Sequence, residues 1–240
     1  MIIKNIKSYL PRWVKRYFKK ELGLIRNKGK SKVFCISMQR NGTSSVGSFL
    51  NDHGYSVAGW NDSNYYQWSY YWSIGDYETI FKSKAFRSFQ AYEDAPWFMP
   101  DFYKVLYHRF PKSKFILFHR DKDKWFDSML NLSNGKTIGN TYRHCKIYRR
   151  LTEFYDRVDN DPSFNPTENE LDNLMSMRGE RDHYIKVYEE YNREVIEFFN
   201  KFCPDKLFVT RLENSDKWQE LGRFLNIDVG SDYDVHSNKS

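Results

Sequence analysis

Short apolar runs alternate with amphipathic stretches along the whole chain. Residues 32–38 (KVFCISM) and 114–119 (KFILFH) are compact, rich in β-branched and aromatic side chains, and predict buried strands. Residues 55–58, 86–92 and 207–210 predict three shorter strands. Apolar positions at helical spacing predict helices over 43–50, 100–110, 124–132, 181–202 and 218–225, the first capped by Thr43 or Ser44. In the longest, Tyr184, Val187, Tyr188, Tyr191, Val195 and Phe198 form the apolar side. Residues 133–141 and 159–170 read as polar loops. Strands alternating with helices imply a single α/β domain whose central, largely parallel sheet carries helices on both faces. In such a sheet ligands bind beyond the carboxyl ends of the strands, which directs attention to the residues after Met38 and Phe118.

Composition narrows the picture. The 240 residues, 18% of them aromatic, are enough for one substantial core. The domain is expected over 31–228, preceded by a basic arm (1–30) and followed by a flexible tail (229–240). Three widely spaced cysteines, Cys35, Cys145 and Cys203, offer neither a disulfide framework nor a Cys-x-x-Cys zinc site, so no metal is expected. The longest apolar runs are strand-sized and the N-terminus lacks a secretory pattern, so the expected location is cytoplasmic.

The formal net charge of +7 is unevenly placed. The first 32 residues hold eleven Lys and Arg against one acid, Glu21, and the remainder is slightly acidic. Within residues 11–22, Trp13, Val14, Tyr17 and Phe18 share one helical face while Lys15, Arg16, Lys19 and Lys20 fill much of the rest. Such a helix suits peripheral contact with an anionic membrane or an acidic partner, or packs on the domain with its basic face in water. The acidic body and the lack of a recognised motif argue against nucleic acid. Oligomeric state is not legible.

Two segments carry chemistry. After the first strand, Arg40-Asn41-Gly42-Thr43-Ser44-Ser45 has the parts of an oxyanion cradle. Gly42 admits close backbone approach, a helix N-terminus follows, and three hydroxyls and a guanidinium add donors. It is neither a Walker A motif nor a Gly-x-Gly-x-x-Gly loop. After the strand at 114–119 comes Arg120, with Ser128 eight residues on in the next helix.

Together these segments resemble the two nucleotide-binding motifs of sulfotransferases that use 3′-phosphoadenosine 5′-phosphosulfate (PAPS). Residues 111–121 (PKSKFILFHRD) are similar to that family's approach to its 3′-phosphate strand, and 207–225 to the C-terminal core of a bacterial branch. The resemblance implies a P-loop-like sulfotransferase fold, PAPS as donor and 3′-phosphoadenosine 5′-phosphate as product. It places Arg40 at the transferring sulfonate and Asn41, Gly42, Thr43, Ser44 and Ser45 on the 5′ side, with Arg120 and Ser128 on the 3′-phosphate. Family members carry a His, Glu or Asp before that strand, which makes Asp94, then Glu93, the candidate general base; His53, His108 and His119 are rivals. Ser45 stands where many members stack an aromatic ring on adenine. The family's C-terminal Arg-Lys-Gly loop is absent, leaving Lys136 and Arg178 as candidate replacement cations.

Residues 61–72 (NDSNYYQWSYYW) interleave aromatic rings with amides, which suits a saccharide acceptor, while Tyr65, Trp68 and Trp72 equally fit a buried helical stripe. The expected function is sulfonate transfer to an acceptor hydroxyl on a carbohydrate. The alternative is a non-catalytic nucleotide-binding or membrane-recruited interaction protein with the same fold; a P-loop NTPase is disfavoured by the missing Walker lysine.

Overall fold

The structure is a computed structural model that describes residues 11–165 and 174–237, without the side chains of 12–16, 18 and 19. Five parallel strands form one sheet: β1 (Val33–Cys35), β2 (Val57–Ala58), β3 (Ala91–Tyr92), β4 (Lys114–His119) and β5 (Leu207–Arg211), in the order β2-β3-β1-β4-β5. The helices are α1 (Arg12–Arg26), α2 (Thr43–Asp52), α3 (Trp60–Tyr65), α4 (Trp68–Ser73), α5 (Tyr77–Lys82), α6 (Lys84–Ser88) and α7 (Phe102–Arg109). They continue with α8 (Lys122–Ser133), α9 (Thr141–Ile147), α10 (Leu151–Asn160), α11 (Arg181–Phe202) and α12 (Lys217–Leu225).

The period of two along β1 and β4 explains the layers. Phe34, Ile36, Phe115 and Leu117 point into one core, with Trp125 of α8 and Tyr188, Tyr191 and Phe199 of α11. Val33, Cys35, Ile116 and Phe118 point into the other, against Val46, Phe49 and Leu50 of α2 and Trp218 and Leu221 of α12. A strand buried on both faces has no polar alternate positions, hence the continuous apolar runs.

Several expectations need correction. The stretch 86–92 is half helix: the Ser83 hydroxyl caps α6 by accepting from Phe86 N–H at 3.0 Å, and only Ala91–Tyr92 pairs with β1 and β2. Neither Thr43 nor Ser44 caps α2. Gly42 stands at its N-cap with φ 76° and no side chain closes the first turn. Helix α10 runs to Asn160, into the expected loop at 159–170, of which 166–170 lie outside the described residues. Of the aromatic stripe, Trp68 and Trp72 are buried core, but Tyr65 is 57% exposed because Gln67, with φ 54°, turns the chain between α3 and α4. The flexible tail expected from 229 is instead packed through 237. Val229, Tyr233 and Val235 lie on the second core, the Trp218 indole N–H donates to Asp234 Oδ1 at 3.0 Å, and Ser237 N–H to Ser45 Oγ at 3.1 Å. Residues 238–240 lie outside the described residues.

The basic arm is a helix where its backbone is described, and it docks on α6. At Gly23 a Cβ would lie 2.3 Å from Ser88 O, and Asn27 Nδ2 donates to Ser88 O at 2.7 Å. The face formed by Trp13, Val14 and Phe18, and residues 1–10, lie outside the described residues and side chains; Tyr17 is exposed. Among the described residues no helix is long and apolar enough to cross a membrane.

The packing of the C-terminal segment has a measurable consequence. Tyr233 stacks edge-on against Phe49 and donates its hydroxyl to Asp52 at 2.8 Å, so Tyr233→Ala opens a cavity against α2. Thermal or urea unfolding should show a loss of roughly 2–4 kcal/mol, whereas a segment that only frays would show none.

Candidate functional site

The ends of β1 and β4 bring the two anion-binding segments together. Arg40 Nε donates to Ser128 Oγ at 2.8 Å across 88 residues of sequence, and Arg120 Nη1 lies 3.5 Å from Arg40 O. Arg40 adopts φ 69°, a left-handed conformation that costs a non-glycine residue about 1–3 kcal/mol. Burial and then the neighbouring Arg120 charge lower the pKa of Arg40. Arg120 Nε is buried without a hydrogen bond, its carboxylate neighbour Glu213 standing 3.9 Å away. Two partly desolvated guanidiniums close enough to repel concentrate positive charge at these strand ends.

Tyr188 and Trp125 hold this arrangement. The Tyr188 hydroxyl donates to Asn41 Oδ1 and accepts from Arg120 N–H, both at 2.9 Å, so one phenol pins both loops. Its ring stacks on Trp125 at 4.2 Å between centroids and 13° between planes, and the Trp125 indole N–H donates to Gln39 O at 3.0 Å. The sequence had placed Tyr188 on an apolar helix face. Its ring is buried as expected, but nothing in the periodicity shows where its hydroxyl goes.

The loop residues divide by role. The Asn41 amide turns inward, donating to Met38 O at 2.9 Å, and serves the loop rather than a ligand. Gly42 is required twice, by its positive φ and because a Cβ would lie 2.7 Å from Leu212 Cδ1. With no side chain capping α2, its N-terminus is suited to an anion. The Thr43 hydroxyl faces the Glu93 carboxyl, while Ser44 O and Ser45 Oγ accept hydrogen bonds from Ser237.

Beside this anion site opens a cavity of about 450 Å³. One wall comes from α3, through Trp60, Ser63 and Asn64, and from Gln67 at the turn into α4 and Tyr70 on α4. Ile138, Asn140 and His144 form the opposite wall, and Gln39 and Asp94 reach it from the strand ends. Ser63 Oγ is buried there with no hydrogen-bond partner among the described residues. Asp94, with φ 68°, accepts from Ala95 N–H at 2.6 Å, and burial raises its pKa.

Glu93 does not line the cavity. It is buried against α2 and α3, and burial, then the Asp94 charge, push its carboxyl up to about 8. Of the two adjacent acids, Asp94 lines the cavity and Glu93 does not. The histidine rivals do not reach the cavity either. His53 hydrogen-bonds Phe49 O and His119 sits beside Arg211, with its pKa lowered by burial. Sequence reasoning missed His144, whose Nδ1 accepts from Ile138 N–H at 3.0 Å and whose Nε2 meets the Tyr184 hydroxyl at 2.8 Å. Burial pushes it down to about 3, so it stays neutral and props the wall. Lys136 bridges to Ser176 and Arg178 lies against Gly135, both away from the cavity lining.

A P-loop-like α/β sheet with two basic loops at adjacent strand ends defines a class of group-transfer folds that handle anionic donors. The family described as Sulfotransferase domain matches residues 32–240, and the chain belongs to that family. No curated protein matches the chain significantly.

The Glu93 environment gives a signed pH prediction. A carboxyl at about 8 in the folded state and near its ordinary 4.5 when unfolded makes the folded protein bind more protons in between. Wild type therefore loses this contribution as pH rises from 4.5 towards 8. Glu93→Gln lacks that loss, so its thermal midpoint should exceed that of wild type at pH 8.5, with the gap shrinking towards pH 5.

Proposed function

We propose that the chain transfers a sulfonate group from PAPS to a hydroxyl of a carbohydrate acceptor. The observation that carries this is the pair of guanidiniums, Arg40 and Arg120, joined through Ser128 and Arg40 O, with only Glu213, at 3.9 Å from Arg120 Nε, as a carboxylate partner among the described residues. Arg120, Ser128 and the start of α2 fit a donor with separated anionic groups. PAPS, when bound, supplies the activated sulfonate. Arg40 holds a fixed guanidinium where charge develops on the leaving side, so no water need reorganise during transfer. Asp94 takes the acceptor proton from within the cavity, and its burial keeps its proton affinity high. The α3 face orients the acceptor. Trp60, 57% exposed, offers a ring for stacking on a sugar face, while Ser63 and Asn64 of α3 and Gln67 at the following turn offer hydrogen bonds. Positioning and electrostatics supply the catalysis, with no covalent enzyme intermediate.

Calorimetric titration with 3′-phosphoadenosine 5′-phosphate, beside adenosine 5′-phosphate, tests the donor site. Arg120→Ala should weaken the first by about 1.5–3 kcal/mol and leave the second nearly unchanged. Equal binding of the two nucleotides, or none to the folded protein, overturns the donor assignment. Asp94→Asn should lower turnover by about 10²–10⁴ while keeping donor affinity, measured as sulfonate transfer to a saccharide panel. Trp60→Ala should raise the acceptor KM with little change in donor KM. Donor binding without transfer to any hydroxyl would instead favour a non-catalytic nucleotide binder.

A further inference from the structure

The carboxyl ends of β1, β4 and β5 lie side by side, and each presents an arginine. Arg40 follows β1, Arg120 follows β4, and Arg211 is the last residue of β5, paired in register with His119. Arg120 is the middle of this row. Its Nη1 lies 3.5 Å from Arg40 O on one side, and its Nε faces Glu213 Oε1 at 3.9 Å on the other. The second oxygen of the same carboxylate, Oε2, stands 3.8 Å from Arg211 Nε. One carboxylate thus lies between two guanidiniums with an oxygen towards each. Neither approach is close enough for a hydrogen bond, and Arg120 Nε is buried with no hydrogen-bond partner among the described residues.

The backbone around Glu213 is fixed. Leu212 N–H donates to His119 O at 2.7 Å, Asn214 N–H donates to Arg211 O at 3.0 Å, and the Asn214 amide donates to Thr210 Oγ1 and Glu220 Oε2. Leu212 also closes on Gly42, which ties this turn to the loop that opens α2. The Glu213 carboxylate, by contrast, is held only by the two ion pairs, and it borders an open depression of about 490 Å³ lined by Arg211, Glu213 and Asn214. With the Arg211 and Glu213 side chains 61% and 36% exposed, such pairs contribute little to stability and change partners at small cost. The other acid acting on Arg211 is Asp121, which is occupied in accepting from Asp123 N–H and Lys124 N–H at 3.1 and 3.0 Å.

We infer that Glu213 is a specificity-determining residue that holds the place of a donor phosphate between Arg120 and Arg211, and that a phosphate displacing it is bound by both guanidiniums. The inference deepens the donor site proposed above, in which Arg120 meets the 3′-phosphate, and adds Arg211 to it. A carboxylate brings one negative charge, whereas a phosphate monoester brings roughly −1.5 to −2 at neutral pH and three acceptor oxygens. Phosphate therefore displaces the carboxylate where water or a hydroxyl does not, and the freed side chain moves into the depression, where water solvates it. A nucleotide lacking the 3′-phosphate leaves Glu213 in place and gains nothing from Arg211. No covalent bond is made or broken.

The test is calorimetric titration at neutral pH and low salt with 3′-phosphoadenosine 5′-phosphate and, separately, adenosine 5′-phosphate, for wild type, Glu213→Gln and Arg211→Ala, with folding checked by thermal midpoint. Glu213→Gln keeps the shape and removes the competing charge, so it should tighten the first nucleotide about two- to fivefold. Arg211→Ala should weaken it by about fivefold or more. Neither substitution should move the affinity for the second nucleotide by more than about twofold. A general change in the field at the site would move both nucleotides alike, and a Glu213 that only braces the arginines would make Glu213→Gln bind more weakly. Either of those results, unchanged binding in Glu213→Gln, or no loss in Arg211→Ala, overturns this inference and leaves the Arg120 site standing. Absence of nucleotide binding to both folded wild type and folded Glu213→Gln overturns the inference and the donor site together.

Discussion

Everything at the site depends on holding two like charges together. The Arg40 and Arg120 guanidiniums would separate on a flexible scaffold, because water solvates each better alone than beside the other. The fold opposes this with one hydroxyl. Tyr188 reaches both loops at once, and its ring is fixed by stacking on Trp125, which in turn grips the backbone of Gln39. The core on that face of the sheet therefore does more than exclude water. It sets the spacing of the two basic loops. The left-handed backbone at Arg40 belongs to the same balance, a local strain carried by surrounding packing.

The sheet was legible because β1 and β4 are buried on both faces, and double burial leaves an unbroken apolar signature. The long helix over Arg181–Phe202 emerged with its bounds intact because its apolar side persists for six turns. The short segments escaped for the opposite reason. In 86–92 the last three residues of a five-residue helix and a strand of two follow each other, and neither element is long enough to show a period. The packed C-terminal segment escaped because its anchors, Val229, Tyr233 and Val235, are isolated among polar residues, and only the partner surface of α2 and α12 turns them into core.

At the site, the charged and glycine positions could be picked out from sequence because each is chemically distinctive, and Arg40, Gly42, Arg120 and Ser128 lie together at the ends of β1 and β4. The distinction between Glu93 and Asp94 could not. The two acids are adjacent and chemically alike, and their roles separate only through direction. The backbone of Asp94, turned at φ 68°, sends its side chain to the cavity, while the extended continuation of β3 sends Glu93 between two helices. The acceptor wall at residues 138–144 was read as a polar loop, since its order comes from a buried neutral histidine whose partners lie forty residues on and six back.

The placement of Gly59 also bears on how this fold can diversify. The helices that line the cavity follow β2 at the sheet's edge, whereas the paired arginines follow β1 and β4 further inside. An edge insertion of this kind can change its cavity-facing residues without disturbing the inner strands. The freedom has a boundary, because Gly59 leaves 2.4 Å between its missing Cβ and the buried carboxyl that borders the donor helix. The cavity lining is thus open to change along α3 from Trp60 onward, while the junction one residue earlier is closed to any side chain that would push α3 away from α2.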